Sequence, residues 1–169
     1  MKNVFLMFVM FMSLMLTAQS NLQNANLATT KGTYVLGLKS SNLGFSTVDG
    51  QGTSVDVGIN AGYFVASRTA ILLSTGYNAY VSEGYNVNAW TYSAGVKHYL
   101  GAVIPVQVDW NGATGNGISP NVSAIGVQAG YAWFPYSNFS IEPAVRYNMS
   151  LNESYDNVLS GAVGFNYFF

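Results

Sequence analysis

Val158-Leu159-Ser160-Gly161-Ala162-Val163-Gly164-Phe165-Asn166-Tyr167-Phe168-Phe169 is the stretch that decides the fold. Leu159, Val163, Phe165, Tyr167 and Phe169 fall on one side of the alternation, and Ser160, Ala162, Gly164 and Asn166 on the other. Successive side chains of a strand point to opposite faces. An apolar face set against a small or polar one suits a sheet whose greasy side looks outward into lipid. The stretch therefore reads as the closing strand of a membrane barrel.

Composition points the same way. Half of the 169 residues are hydrophobic and 8% are charged, whereas a soluble surface carries about 25–35% charged residues. Beyond the first 20 residues no run approaches the roughly 20 apolar residues of a transmembrane helix. A lipid-facing chain without such helices can satisfy its backbone only as a closed barrel. The 18 glycines, 12 tyrosines and 10 phenylalanines suit strands and interfacial belts better than helices. A net charge of -1 offers no basic footprint for nucleic acid. With no cysteine, a disulfide framework, a thiolate metal site and a lipidated-cysteine anchor are all excluded.

Residues 1–20 read as a signal peptide: Lys2 gives the positive start, Val4 to Leu16 is apolar except for Ser13, and Ala18-Gln19-Ser20 is a small-x-small cleavage site. Residues 21–32 are then a short polar tail on the periplasmic side, and residues 33–169 form the barrel domain. Reading for a period of two gives eight strands separated by Gly, Asn, Ser and Asp clusters. They run about Thr33 to Ser41, Ser54 to Phe64, Thr69 to Tyr80, Ala89 to Leu100, Ile104 to Trp110, Asn121 to Phe134, Phe139 to Ser150 and Asp156 to Phe169. The fold class is all-β, an eight-stranded antiparallel up-and-down transmembrane barrel.

Connections after the even-numbered strands are tight, and those after the odd-numbered strands are mostly longer, including the glycine-rich run Gly112 to Gly117. Short periplasmic turns and longer outer loops are the rule in outer-membrane barrels. This places Tyr63, Tyr131, Trp133, Phe139 and Phe169 near the periplasmic interface and Tyr77, Trp90, Tyr92, Trp110 and Tyr147 near the outer one. Two aromatic belts anchor a barrel at both headgroup levels.

The inward register collects Lys39, Lys97 and Arg146 with Asp56, Asp109 and Glu142. An eight-stranded barrel has room inside only for side chains or one small ligand, so these six charges are expected to pair as a structural network. Placed in mid-membrane on the lipid face, each Lys or Arg would instead cost about 2–4 kcal/mol. Asp49, Glu83, Glu153 and Asp156 fall in or beside the outer loops, and Arg68 in a periplasmic turn. The small inward residues Gly58, Gly62, Ser74, Gly76, Gly95, Gly126, Gly130 and Gly164 leave a second reading open, in which water-filled gaps pass small or hydrophobic solutes. A soluble ligand-carrying barrel would reverse the faces and crowd the Tyr, Trp and Phe of every strand into one lumen.

Lys31-Gly32-Thr33-Tyr34, Asn60-Ala61-Gly62-Tyr63-Phe64, Glu142-Pro143-Ala144-Val145-Arg146-Tyr147 and Gly164-Phe165-Asn166-Tyr167-Phe168-Phe169, behind a signal peptide, resemble the small outer-membrane β-barrel proteins of the OmpA/OmpX type. The resemblance covers essentially the whole mature chain and is specific for architecture. It implies export to the outer membrane of a Gram-negative-type cell and contact there with lipid. It also implies insertion by the outer-membrane assembly machinery, with Phe165, Tyr167 and Phe169 as the C-terminal insertion signal. A monomer with a structural or surface-interaction role through its loops is expected, without a cofactor, metal or catalytic site. With Phe169 last, no periplasmic peptidoglycan-binding domain is expected. Barrels of this kind that deacylate lipids resemble it in fold but need a His and a Ser on one lipid-facing strand. His98 is the only histidine and Leu100 lies two residues on, so that pair is missing.

Overall fold

The computed structural model describes residues 20–40, 53–82, 85–116, 122–152 and 157–169. Strands β1 (Tyr34–Ser40), β2 (Thr53–Ala66), β3 (Thr69–Ser82), β4 (Tyr85–Leu100), β5 (Ile104–Asn116) and β6 (Val122–Gly130) follow one another around a ring. They are followed by β7 (Trp133–Tyr136), β8 (Phe139–Ser150) and β9 (Val158–Phe168). All pairings are antiparallel, and the ring closes where β9 pairs with β1, from Val35 opposite Phe168 to Ser40 opposite Val163. Because β6 and β7 both lie along β8, they are two pieces of one barrel strand interrupted at Tyr131 and Ala132. The Tyr131 amide donates to the Pro143 carbonyl at 3.0 Å and the Ala132 amide to the Val103 carbonyl at 2.7 Å, so the interruption leaves no backbone donor stranded. The architecture is thus a closed, eight-stranded, up-and-down barrel.

Its outer surface is apolar. Leu36, Leu38, Ile59, Ile71, Leu73, Val96, Val108, Val145 and Leu159 are exposed around the wall. A continuous apolar band of this kind belongs against hydrocarbon rather than water. Tyr34, Tyr63, Tyr131, Trp133 and Phe169 are exposed toward the end that carries the short turns, where the Tyr34 ring lies 4.9 Å from that of Tyr63 and 6.0 Å from that of Phe169. Toward the opposite end, Tyr77 meets Trp90 at 5.2 Å and Tyr92 meets Trp110 at 5.5 Å. These contacts are cross-strand or next-neighbour pairs on one face of the sheet.

Several strands outrun the periodic pattern. β5 continues to Asn116, so Gly112 to Asn116 are strand rather than loop; Gly112 lies opposite Tyr92, Gly115 opposite Ala89. The physical reason is a side chain: a Cβ at Gly112 would come within 2.7 Å of the Tyr92 ring, which covers the strand there in place of a Gly112 side chain. β3 and β4 likewise pair as far as Ser82 opposite Tyr85, so the connection expected to be long has two residues between its strands. Asp49, Glu83, Glu153 and Asp156 lie outside the described residues.

Residues 21–28 of the expected polar tail form a helix that begins at Ser20. Asn21, Ala25, Ala28 and Thr29 face the barrel and are buried, a spacing of four, three and one that forms one helix face. Asn21 Nδ2 donates to the Tyr131 hydroxyl at 2.9 Å and the Ala132 carbonyl at 3.3 Å, while its Oδ1 accepts from the Phe134 amide at 2.6 Å. Asn24 Nδ2 donates to the Phe134 carbonyl at 3.0 Å. At the other end of the helix the Arg68 amide donates to the Thr29 carbonyl at 2.7 Å. Asparagines that look like solubilising residues in the sequence are instead the fasteners of a cap across the short-turn mouth.

Candidate functional site

The inward face is built in tiers. Nearest the cap, Phe64, Tyr99, Phe134 and Phe168 come from β2, β4, β7 and β9 and form a floor. Ring centroids lie 6.1 Å apart for Phe64 and Tyr99, 6.2 Å for Tyr99 and Phe134, 5.5 Å for Phe134 and Phe168, and 6.1 Å for Phe64 and Phe168. The four rings therefore close a circuit. Ala25 and Ala28 of the helix pack onto the same cluster from below, as does Ala102. Ala102 holds φ +71 in the turn beside Gly101, a conformation costing an L residue roughly 1 kcal/mol or more. Its fully buried methyl is the compensation.

Directly above the floor, Glu142 is 2% exposed and takes three donors: Lys97 Nζ at 2.9 Å, the Tyr99 hydroxyl at 2.8 Å and Ser140 Oγ at 2.8 Å. Asn166 Nδ2 donates onward to Ser140 Oγ at 3.3 Å, and Asn60 Nδ2 to Asn166 Oδ1 at 3.3 Å. Tyr99 thus belongs to both tiers, its ring in the floor and its hydroxyl on the carboxylate. Farther along the same face of β8, Arg146 grips Asp109 with two parallel bonds, Nη1 to Oδ2 at 2.8 Å and Nη2 to Oδ1 at 2.6 Å. Gln107 Nε2 at 2.7 Å and Asn111 Nδ2 at 3.1 Å supply further donors to Asp109, and Asn148 Oδ1 accepts from Arg146 Nε at 3.0 Å. Planar bidentate pairing with every lone pair met is the arrangement in which a buried ion pair offsets its desolvation.

Glycines make these contacts possible. Asp109 on β5 lies opposite Gly126 on β6, which in turn lies opposite Asn148 on β8. The Arg146 guanidinium reaches Asp109 by passing over Gly126, where a Cβ would collide with Nη2 and come within 2.7 Å of Cζ. On its other flank Asp109 lies opposite Gly95, whose added Cβ would strike the Asp109 Cβ. Asn60 and Asn166 meet over Gly37 of β1 in the same way. Of the small inward residues that suggested gaps in the sequence, Gly62, Gly76, Gly95 and Gly126 are saddles closely covered by a neighbour's side chain, whereas Ser74 and Gly164 border a cavity. Gly126→Val is accordingly expected to destabilise the barrel by about 1–3 kcal/mol, the usual cost of overpacking. A urea midpoint in lipid vesicles measures it, with Gly161→Val as the control, since a Cβ at Gly161 meets nothing within 4 Å.

Between the tiers, Asn60, Ser74, Lys97, Gln128 and Asn166 line a cavity of about 20 Å³, room for a single water-sized group. Gln128 Oε1 is buried and has no partner among the described residues. Of the six charged residues singled out in the sequence, four are thus joined as Lys97–Glu142 and Asp109–Arg146. Lys39 pairs by backbone with Gly58 and Gly164, and Asp56 with Asn78; their side chains lie outside the described set. Ser140, Gln107, Asn111, Asn148 and Asn166 were missed as partners, although all share the inward parity of the charges. Phe165, Tyr167 and Phe169 are exposed on the lipid-facing side of β9. His98 is also outward, its Nδ1 2.8 Å from Thr69 Oγ1. Among the described residues no group of three or more His, Asp or Glu is placed to hold a metal.

Closed eight-strand topology, an apolar outer wall and a polar, self-paired interior define a β-barrel of the outer-membrane class. Solved structures agree on the fold. The chain is similar to the N-terminal β-barrel domain of Pseudomonas aeruginosa OprF, with 12% identity over 82% of this chain and 98% of that one, at TM-score 0.57. It is similar also to Yersinia pestis Ail in a phospholipid bilayer nanodisc, with 12% identity over 82% of this chain and 100% of that one, at TM-score 0.55. The crystal structure of the same Yersinia pestis protein, the attachment invasion locus protein, gives 14% identity, coverages of 83% and 100% and TM-score 0.50. No family model matches the chain, and no curated protein matches it by sequence.

Proposed function

We propose that this protein is a non-conducting outer-membrane anchor that displays its outer connections at the surface of a Gram-negative-type cell. Its role is then structural or adhesive, without catalysis. One observation carries the reading: the lumen is occupied from the cap to the second charge tier, by a helix, four aromatic rings and two satisfied ion pairs. A side-chain-filled barrel provides a rigid wall and no solute path. The likeness to Ail in a phospholipid bilayer supports a membrane setting by fold alone.

Within this reading residues 1–20 are removed on export, the mature chain is a monomer bathed in outer-membrane lipid, and the assembly machinery reads Phe165, Tyr167 and Phe169. Planar-bilayer recording is the test. Purified, folded protein is expected to give no reproducible single-channel steps, and stable steps would favour the porin-like alternative instead. Replacing residues 41–52 by a two-residue turn is expected to leave folding intact and to reduce adhesion of expressing cells to a host or abiotic surface. Unchanged adhesion would remove that connection from the proposed role.

A further inference from the structure

A groove of about 530 Å³ opens at the short-turn rim, outside the lumen, between the end of the helix and the β2–β3 and β4–β5 turns. Its lining includes Asn26, Thr30, Ser67, Arg68, His98 and Leu100. Each polar side chain in that set carries at least one hydrogen-bond donor, and no Asp or Glu lines the groove. At this end of the helix three carbonyls have donors of their own: Thr29 N and Oγ1 donate to the Ala25 carbonyl at 3.0 and 2.7 Å, Thr30 Oγ1 to Leu27 at 3.2 Å, and the Arg68 amide to Thr29 at 2.7 Å.

Arg68 is held in place for this task. Its backbone adopts φ +66, its amide and carbonyl are both used, and its Nη2 donates to Asn26 Oδ1 at 2.8 Å, leaving the other guanidinium donors for a ligand. His98, fixed through Nδ1 by Thr69, presents Nε2 from a lipid-facing strand position. Leu100, exposed beside them, gives the groove an apolar flank at the level of the aromatic belt formed by Tyr63, Tyr131 and Trp133. The described turns and helix of this rim carry Arg68 and Lys31 without an Asp or Glu, and His98 lies near the adjoining end of β4.

We propose that this groove binds the phosphodiester headgroup of a glycerophospholipid in the membrane leaflet facing the short turns, with Arg68 and His98 on the phosphate and Leu100 against the first acyl carbons. The inference rests on the membrane setting but not on the absence of conductance. A lipid is favoured over free phosphate because Leu100, 51% exposed at a lipid-facing strand position, borders the groove beside His98. The test is native mass spectrometry of the folded barrel released from nanodiscs of phosphatidylglycerol mixed with phosphatidylcholine. One retained phosphatidylglycerol per barrel is expected, with at least a tenfold drop for Arg68→Asn/His98→Gln. Asn is chosen at position 68 because it tolerates the left-handed backbone. Heat-modifiable gel mobility checks that the variant is folded, and His98→Gln alone, which leaves the helix contact of Arg68 intact, is expected to give an intermediate loss. Equal retention by wild type and variants would overturn the proposal, as would displacement of the lipid by millimolar inorganic phosphate. A failure of the membrane setting itself would be seen separately, as a chain that does not enter the nanodisc.

Discussion

Replacing Arg146 by alanine is expected to cost about 3–5 kcal/mol, the penalty for leaving one member of a buried pair uncompensated. Asp109 would keep Gln107 and Asn111 as donors but lose both guanidinium bonds, in a lumen where its side chain is 1% exposed. Urea titration in lipid vesicles, followed by the mobility difference between folded and unfolded protein on unheated gels, measures the loss. Asp109→Ala should cost a similar amount. The double variant should cost clearly less than the sum, since the two residues share one interaction. Additive losses would show that Arg146 acts through Asn148 or the Gly126 saddle instead of through Asp109.

The second large effect is expected at Phe168. Truncation to alanine removes a ring packed against Phe64 and Phe134 at 6.1 and 5.5 Å, and core Phe→Ala changes cost about 3–5 kcal/mol. Its neighbours on β9 provide the contrast. Phe165 and Phe169 look outward, where lipid fills the space left by a truncated ring, so Phe165→Ala should cost much less in the same titration. The order matters more than either value. A larger loss at Phe165 than at Phe168 would mean that the floor is not a packed core.

That contrast also marks how far the sequence could be read. Alternation assigned Phe165 and Tyr167 to the lipid face and Asn166 inward, and the register bears this out, with Asn166 opposite both Gly37 and Ser140. Phe168 shares Asn166's parity, yet a phenylalanine on a polar face carries no instruction unless its neighbours are known. Phe64, Tyr99 and Phe134 come from three other strands, and only the closed ring brings them to one level. Their common position, at the inward side of the strand ends near the short turns, was the available signal.

Polar partners followed a similar division. The inward parity of Lys97, Asp109, Glu142 and Arg146 is a one-dimensional property, visible in each strand alone. Which carboxylate meets which cation depends on strand stagger: Lys97 reaches Glu142 across the lumen, and Arg146 reaches Asp109 over one intervening strand. The inward glycines divide for the same reason. A missing side chain looks like space in a sequence, whereas in the barrel the space at Gly95 and Gly126 is occupied by the side chains of Asp109 and Arg146, and that at Gly164 borders a cavity.

Local chemistry by itself therefore determined the strands, their faces and the closed form, because period-two hydrophobicity and backbone satisfaction in lipid leave one solution. Tertiary structure alone decided the pairing of the charges, the aromatic floor and the folding of residues 20–28 into a cap. Those features join residues as far apart as Asn21 and Phe134, and the register and stagger that bring them together exist only once the sheet has closed on itself.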